Sequence, residues 1–321
     1  MNKVFITGPI EENGINLLRK KGVKVDGYQK AATTDAGLAE IFSSYDAVIT
    51  MVSDKIDDSL ISHASGKLKI IANYAVGFDN IDVLSAKRKG IVVTNTPGVA
   101  GESVAEHTFA LILACSKHLI EADRFVRQGH YHRWDPKAFL SPQLWGKIIG
   151  IIGLGRIGTY VGHIAFGGFK MKILYSDVQR SEDFEMLTEA RFVPLDTLLG
   201  QADIVSLHPP LTPQTRHMIG QEQFKKMKNE AILINTSRGP IVDEHALIRA
   251  LKEKEIAAAG LDVYENEAQI SAELRALSNV VLTPHTASAT LETRAEMSRI
   301  AAQNVIDVFS GKTPFGLVNV S

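Results

Sequence analysis

Three side chains in the second half of the chain could carry anion, base and acid chemistry. Arg238 stands in Asn235-Thr236-Ser237-Arg238-Gly239, Glu267 in Asp262-Val263-Tyr264-Glu265-Asn266-Glu267, and His285 in Leu282-Thr283-Pro284-His285-Thr286. Each follows a short apolar, strand-like run, so all three are expected on one side of a sheet. An arginine offers a planar fork of donors suited to holding a carboxylate while polarising an adjacent carbonyl. A histidine can give or take a proton near neutrality. A carboxylate bonded to the far imidazole nitrogen favours the protonated ring and fixes its orientation.

Upstream, Gly153-Leu154-Gly155-Arg156-Ile157-Gly158 follows the apolar run Ile148-Ile149-Gly150-Ile151-Ile152. In a strand–turn–helix setting the first glycine permits the tight turn, the second lets backbone approach a pyrophosphate, and the third allows close helix–strand packing. The helix N-terminus then favours the anion. This pattern predicts a bound dinucleotide. Asp177 ends the next strand-like run, where its carboxylate can accept from both adenosine ribose hydroxyls and would repel a ribose phosphate, so NAD is favoured over NADP. Arg180, three residues on, is the one feature that points towards NADP.

The elements that must position these residues come in two alternating series. Short β-rich runs at 4–7, 23–28, 47–51, 69–73 and 91–94 are separated by helical stretches. A second series begins at residue 148, with strands expected at 148–152, 172–175, 203–207, 231–235, 257–261 and 280–282. Such alternation predicts α/β architecture with parallel sheets. Between the series, 102–127 reads as one long helix with a nearly all-round apolar centre, suited to crossing between domains or lying in a subunit interface. Residues 291–310 read as a last amphipathic helix stopped by Gly311 and returning to the first domain. The expected division is 1–98 plus 289–321 for one domain and 99–288 for the nucleotide-binding domain, with a cleft between them.

Composition narrows the function classes. A formal net charge of −1 with interspersed charges gives no basic stripe for nucleic acid or anionic lipid. No apolar stretch approaches the roughly 20 residues that span a bilayer. The N-terminus lacks a secretory pattern, and Cys115 is the only cysteine, set in an apolar segment, so an inert thiol in a reducing cytoplasm is expected. His130 and His132 straddle Tyr131 without carboxylate or cysteine ligands at metal-site spacing and read as loop histidines, so no metal is expected.

With Val76-Gly77-Phe78-Asp79-Asn80-Ile81-Asp82, Asn95-Thr96-Pro97-Gly98, Val104-Ala105-Glu106 and His208-Pro209-Pro210-Leu211-Thr212, these motifs run in order along essentially the whole chain. In that order it resembles the NAD-dependent D-isomer-specific 2-hydroxyacid dehydrogenases. The resemblance implies two doubly wound parallel-sheet domains, a Rossmann nucleotide-binding domain and a flavodoxin-like substrate domain, acting on a small 2-oxo or D-2-hydroxy acid. It implies catalytic roles for Arg238, Glu267 and His285, with Val76 and Gly77 presenting backbone N–H groups to the substrate carboxylate. Arg156 and Ile157 would contact the pyrophosphate, Asp177 the ribose and Asp262 the nicotinamide amide, while Val104, His208, Pro209 and Thr236 line the groove. Ala268 departs from the proline that commonly follows the glutamate. Glyoxylate, hydroxypyruvate and 3-phosphoglycerate are the substrate candidates, and a homodimer is expected. A nucleotide-sensing, corepressor-like binding protein on the same fold is the alternative.

Overall fold

Near-continuous apolar runs such as Ala47–Thr50 and Ile70–Asn73 are buried at every position, as strands of a parallel sheet covered on both faces must be. The computed structural model describes residues 1–27, 35–267 and 269–319; Tyr28, expected at the end of the second strand, and Ala268 lie outside the described residues. The chain divides into two units, residues 1–100 with 289–321, and residues 101–288.

The first unit holds β1 (Lys3–Ile6), β2 (Lys24–Gly27), β3 (Ala47–Thr50), β4 (Ile70–Asn73) and β5 (Val92–Thr94), paired in the order β2-β1-β3-β4-β5. This parallel, doubly wound order is the flavodoxin-like one. Alternate residues of each strand point to opposite faces. Ile70 and Ala72 pack with Ile15, Leu18, Met297 and Val305, while Val48 and Ile71 pack with Phe42 and Ile61. The helix Leu291–Phe309 thus belongs to this unit although it follows the second unit in sequence. Its N-cap Thr290 accepts from the Thr293 N–H, and Gly311 in the left-handed region (φ 71°) ends it. The neighbouring helix Glu12–Lys20 comes so close that a Cβ on Gly14 would lie 2.3 Å from the Ser298 carbonyl oxygen.

The second unit contains β6 (Ile148–Ile152), β7 (Lys172–Ser176), β8 (Arg191–Phe192), β9 (Ile204–Leu207), β10 (Ile232–Asn235), β11 (Ala258–Leu261) and β12 (Val280–Leu282), in the order β12-β11-β10-β9-β6-β7-β8. All pairs are parallel. The strand order reverses between β6 and β9, and doubly wound sheets hold ligands at such a switch point, beyond the carboxyl ends of the strands. Strand β8 was not expected: it is a two-residue edge strand with both residues exposed, too short to leave a periodic signal.

The expected single helix over 102–127 is two. Gly101–Ser116 lies on the sheet with eleven of its sixteen residues buried, and a Cβ on Gly260 of β11 would lie 3.0 Å from Leu111 Cβ. The chain then breaks at His118, which takes a left-handed conformation (φ 52°), and a separate helix Leu119–Arg127 follows with none of its residues buried. No glycine or proline marks the break. Among the described residues no helix is long and apolar enough to cross a membrane.

Candidate active site

The register of the second sheet aligns the ends of six strands. Ile152 pairs with Ser176 and Leu207, Leu207 with Asn235, Asn235 with Leu261, and Leu261 with Leu282. The next residue of each strand, Asp177, Gly153, His208, Thr236, Asp262 and Thr283, therefore falls in one row along the carboxyl edge. At about 4.8 Å per strand the row covers roughly 24 Å, a dinucleotide's length scale.

The three glycines of the turn do separate work. Gly153 takes φ 87°, and a Cβ there would lie 2.6 Å from the Pro209 backbone nitrogen. Gly158 packs so closely that its Cβ would lie 2.2 Å from the Gly153 carbonyl oxygen. Gly155, by contrast, would place a Cβ in open space. It is the N-cap of the helix Arg156–Phe169 and supplies no side-chain cap, so Arg156 and Ile157 form a first turn whose N–H groups lack that local acceptor. This cradle fits a pyrophosphate.

Asp177, expected at the adenosine ribose, lies at the end of the row's glycine-turn side, its carboxylate accepting from the N–H groups of Leu154 and Val178, both at 2.5 Å. Arg180 is committed elsewhere. It forms a two-pronged bond to Glu185 (Nε–Oε1 2.9 Å, Nη2–Oε2 2.6 Å), and Arg180 followed by the Tyr175 hydroxyl holds that carboxyl down at about 2. The one feature pointing to NADP is thus tied to a carboxylate.

On the far side of the switch point, His208 Nε2 lies 2.8 Å from Ser206 Oγ while Nδ1 is buried with no hydrogen-bond partner. Burial pushes this imidazole down to about 3, although the residue as a whole keeps some exposed surface. Pro209 offers its carbonyl to the Ser237 hydroxyl. Val104 and Thr236 are both largely buried and are linked through Thr108, whose hydroxyl donates to the Val104 carbonyl (2.8 Å) and lies 3.0 Å from Thr236 Oγ1.

The structure brings Glu267 and His285 together, Oε2 to Nδ1 at 2.9 Å, with both side chains partly exposed. His285 adopts φ 53°, a conformation sparsely used by non-glycine residues and concentrated at functional sites. Arg238 caps the short turn Gly239–Ile241 and its Nη1 donates to the Ser237 carbonyl (2.8 Å). That turn is shaped by Asn235, which accepts from the Ser237 N–H (3.0 Å) and donates to the Arg238 carbonyl (2.9 Å).

Asp262, expected to contact nicotinamide, is bonded into the fold on every side. Its side chain is fully buried, and it accepts from the Thr283 hydroxyl (2.6 Å) and from the N–H groups of Thr286 and Ala287 (both 2.8 Å). Its own carbonyl accepts from the His285 N–H (2.9 Å), so Asp262 clamps the segment that carries the histidine. Burial alone would raise this carboxyl, but hydrogen bonds from His107, Thr283, Thr286 and Ala287 outweigh it and hold it below its ordinary value. His107 Nε2 lies 3.0 Å from Thr283 Oγ1 and 3.4 Å from Asp262 Oδ1. No sequence motif singles out His107, Asn235 or Thr283 for this role. Only Asn235 carried a signal, as an asparagine that ends a strand and bonds its own backbone two residues on.

In the first unit Val76 and Gly77 follow β4, and both carbonyls are held by asparagine amides, from Asn95 (2.6 Å) and Asn73 (2.8 Å) respectively. The other singled-out residues sit away from chemistry. Cys115 is buried, and burial followed by the charge of Glu121 pushes its thiol up to about 12. His130 packs its ring edge-on against Phe125 at 5.5 Å.

A family model described as the D-isomer specific 2-hydroxyacid dehydrogenase NAD-binding domain matches residues 109–287. The chain is 48% identical over 322 aligned positions to a glyoxylate reductase of Thermococcus litoralis, covering 99% of this chain and 96% of that one. A crystal structure of a Thermus thermophilus protein superimposes with a TM-score of 0.92 at 36% identity, covering 99% of this chain and 100% of that one. The D-lactate dehydrogenase of Aquifex aeolicus, solved with NAD and lactic acid, superimposes with a TM-score of 0.88 at 31% identity over 100% of both chains.

Proposed function

The chain belongs to the D-isomer specific 2-hydroxyacid dehydrogenase family and is an NAD-linked 2-hydroxyacid oxidoreductase, and we propose that it reduces a small 2-oxo acid of the glyoxylate or hydroxypyruvate kind. The observation that carries this reading is the Glu267–His285 bond on the same sheet edge as the glycine turn. Relatives named as reductases and dehydrogenases weigh for turnover over the nucleotide-sensing alternative, and among substrates for glyoxylate over 3-phosphoglycerate.

When bound, NADH supplies the hydride. The guanidinium of Arg238 holds the substrate carboxylate and polarises the carbonyl that will accept it. Glu267 occupies Nδ1 of His285, which leaves Nε2 to deliver a proton to the developing alkoxide. Asp262 keeps the histidine's segment in place. Val76 and Gly77 complete the proposal as backbone donors to the carboxylate.

The test follows NADH absorbance with glyoxylate, hydroxypyruvate, pyruvate and phosphohydroxypyruvate. We expect turnover on the smaller acids and a loss of about a hundredfold or more in His285→Ala with NADH binding retained. Retained NADH binding without turnover on any acid would return the sensor reading.

The assembly we propose is a homodimer formed through the helix Leu119–Arg127 and residues 128–145. Exposed Leu119, Ile120, Val126, Trp134, Leu140 and Trp145 support it, because so many large apolar side chains left in water over 27 residues suit an interaction face. A monomeric mass in solution scattering would sink it. A reducing cytoplasm is the proposed compartment, supported by a buried free thiol as the chain's one cysteine.

A further inference from the structure

We propose that His217 and Glu265 form a second histidine–glutamate pair whose task is to position the first. The proposal rests on the reading of Glu267 and His285 given above. His217 Nε2 meets Glu265 Oε1 at 2.7 Å, and the other oxygen of Glu265 accepts from the Glu244 N–H at 3.2 Å. Glu265 opens the turn Glu265-Asn266-Glu267, and Glu267 at its end bonds His285. The carboxylate that orients the acid/base is thus two residues from a carboxylate pinned at both oxygens.

His217 also reaches the turn that follows Arg238. Its N–H donates to the Pro240 carbonyl at 2.8 Å, and two residues later the Ile219 N–H donates to Ile241 at 3.1 Å. The two turns are themselves in backbone contact, since a Cβ on Gly239 would lie 1.8 Å from the Tyr264 carbonyl oxygen. One residue therefore ties the turn of the anion anchor, by its backbone, to the turn of the orienting carboxylate, by its ring.

Two further observations bear on what the pair does. His217 takes φ 51° and His285 takes φ 53°, so both histidines bonded to this turn hold a left-handed conformation that non-glycine residues use sparingly. The pair is also partly exposed, at 41% and 27% of the side-chain surface, and pairs so placed contribute little to global stability. Removing it should therefore alter turnover more than melting.

His217→Leu deletes the donor, while His217→Gln keeps an N–H at similar reach and the same backbone burden. We expect the leucine variant to lose about tenfold or more in kcat, the scale of a small misplacement of a reacting group. Its NADH Kd, read by fluorescence, should stay within about twofold and its melting temperature near that of the wild type, because it touches neither the cradle nor the core. The glutamine variant should recover most of the loss, and Glu265→Ala added to His217→Leu should cost no more than the larger single effect. Should leucine impair folding, His217→Ala reads the same kcat loss with Glu265 and its bond from the Glu244 N–H kept. Unchanged kcat in the folded variants, or a loss that glutamine fails to recover and that tracks a fall in melting temperature, would overturn the pair's role. A wild type without turnover would instead overturn the assignment of Glu267 and His285, and this role with it.

Discussion

Replacing Asp262 with asparagine tests the clamp on the histidine segment. The carboxylate accepts from Thr283 Oγ1 and Thr286 N through Oδ1, which also faces His107 Nε2 at 3.4 Å, and from Ala287 N through Oδ2 at 2.8 Å. An asparagine must turn its NH2 towards one of these sides. The less damaging choice faces Ala287, leaving one buried N–H opposite a donor and weakening charge-assisted bonds on the other side. A buried donor without a partner costs about 1–3 kcal/mol, so with the lost charge the variant should be destabilised by about 2–3 kcal/mol. For a unit of this size each kcal/mol moves the melting temperature by about 2–4 °C, giving a drop of roughly 4–12 °C near neutrality. The pH dependence follows from the direction of the shift. A carboxyl held below its ordinary 3.8 in the folded state contributes its full stability above that value and loses it as pH falls through the folded one. The gap between wild type and Asp262→Asn should therefore be widest near neutrality and close on acidification below 3.8. Thermal melts by circular dichroism from pH 7 downward measure it, with kcat expected to fall alongside because His285 rides on the clamped segment. Superimposable melts near neutrality, or a gap that widens with acid, would refute the reasoning.

Two other perturbations separate cofactor binding from folding. Gly155→Val enters open space at φ −74°, so melting should be unchanged while NADH affinity, read by fluorescence, falls at least about tenfold; Gly158→Val drives into the Gly153 carbonyl and should unfold the unit. Equal behaviour of the two variants would contradict the roles given to these glycines. Asp177→Ser alone should weaken NADH without conferring NADPH use, because Arg180 stays bonded to Glu185; adding Glu185→Ala should release the guanidinium and raise NADPH affinity. A preference for NADPH after the single change would refute that account of selectivity.

Much of the fold was legible because strand periodicity and glycine placement are local signals. Eleven of the twelve described strands lie within a residue or two of the expected runs, and the missing β8 has only two exposed residues. The break at His118 was invisible because a histidine, and not a glycine, takes the left-handed conformation. The same holds for His217 and His285: nothing in residue type announces a positive φ there, since neighbouring hydrogen bonds impose it. Asp262 was singled out only through the family resemblance, as a contact of the nicotinamide amide, and its bonds run to residues 283–287, a partner segment that only folding brings near.

By itself, then, the order of residues determined the α/β alternation, the nucleotide turn and the identities of an arginine, a glutamate and a histidine able to do hydride-linked proton chemistry. These depend on local backbone preference and side-chain type, which a chain carries before it folds. Tertiary structure decided which groups meet: that strand register sets six strand ends abreast, that Arg180 is spent on Glu185, and that Glu267 finds His285 while Glu265 finds His217. The physical reason is that such bonds, a few ångströms long, join residues far apart in sequence, 48 apart for Glu265 and His217, and their geometry exists only once the parallel ladder has fixed which residues lie side by side.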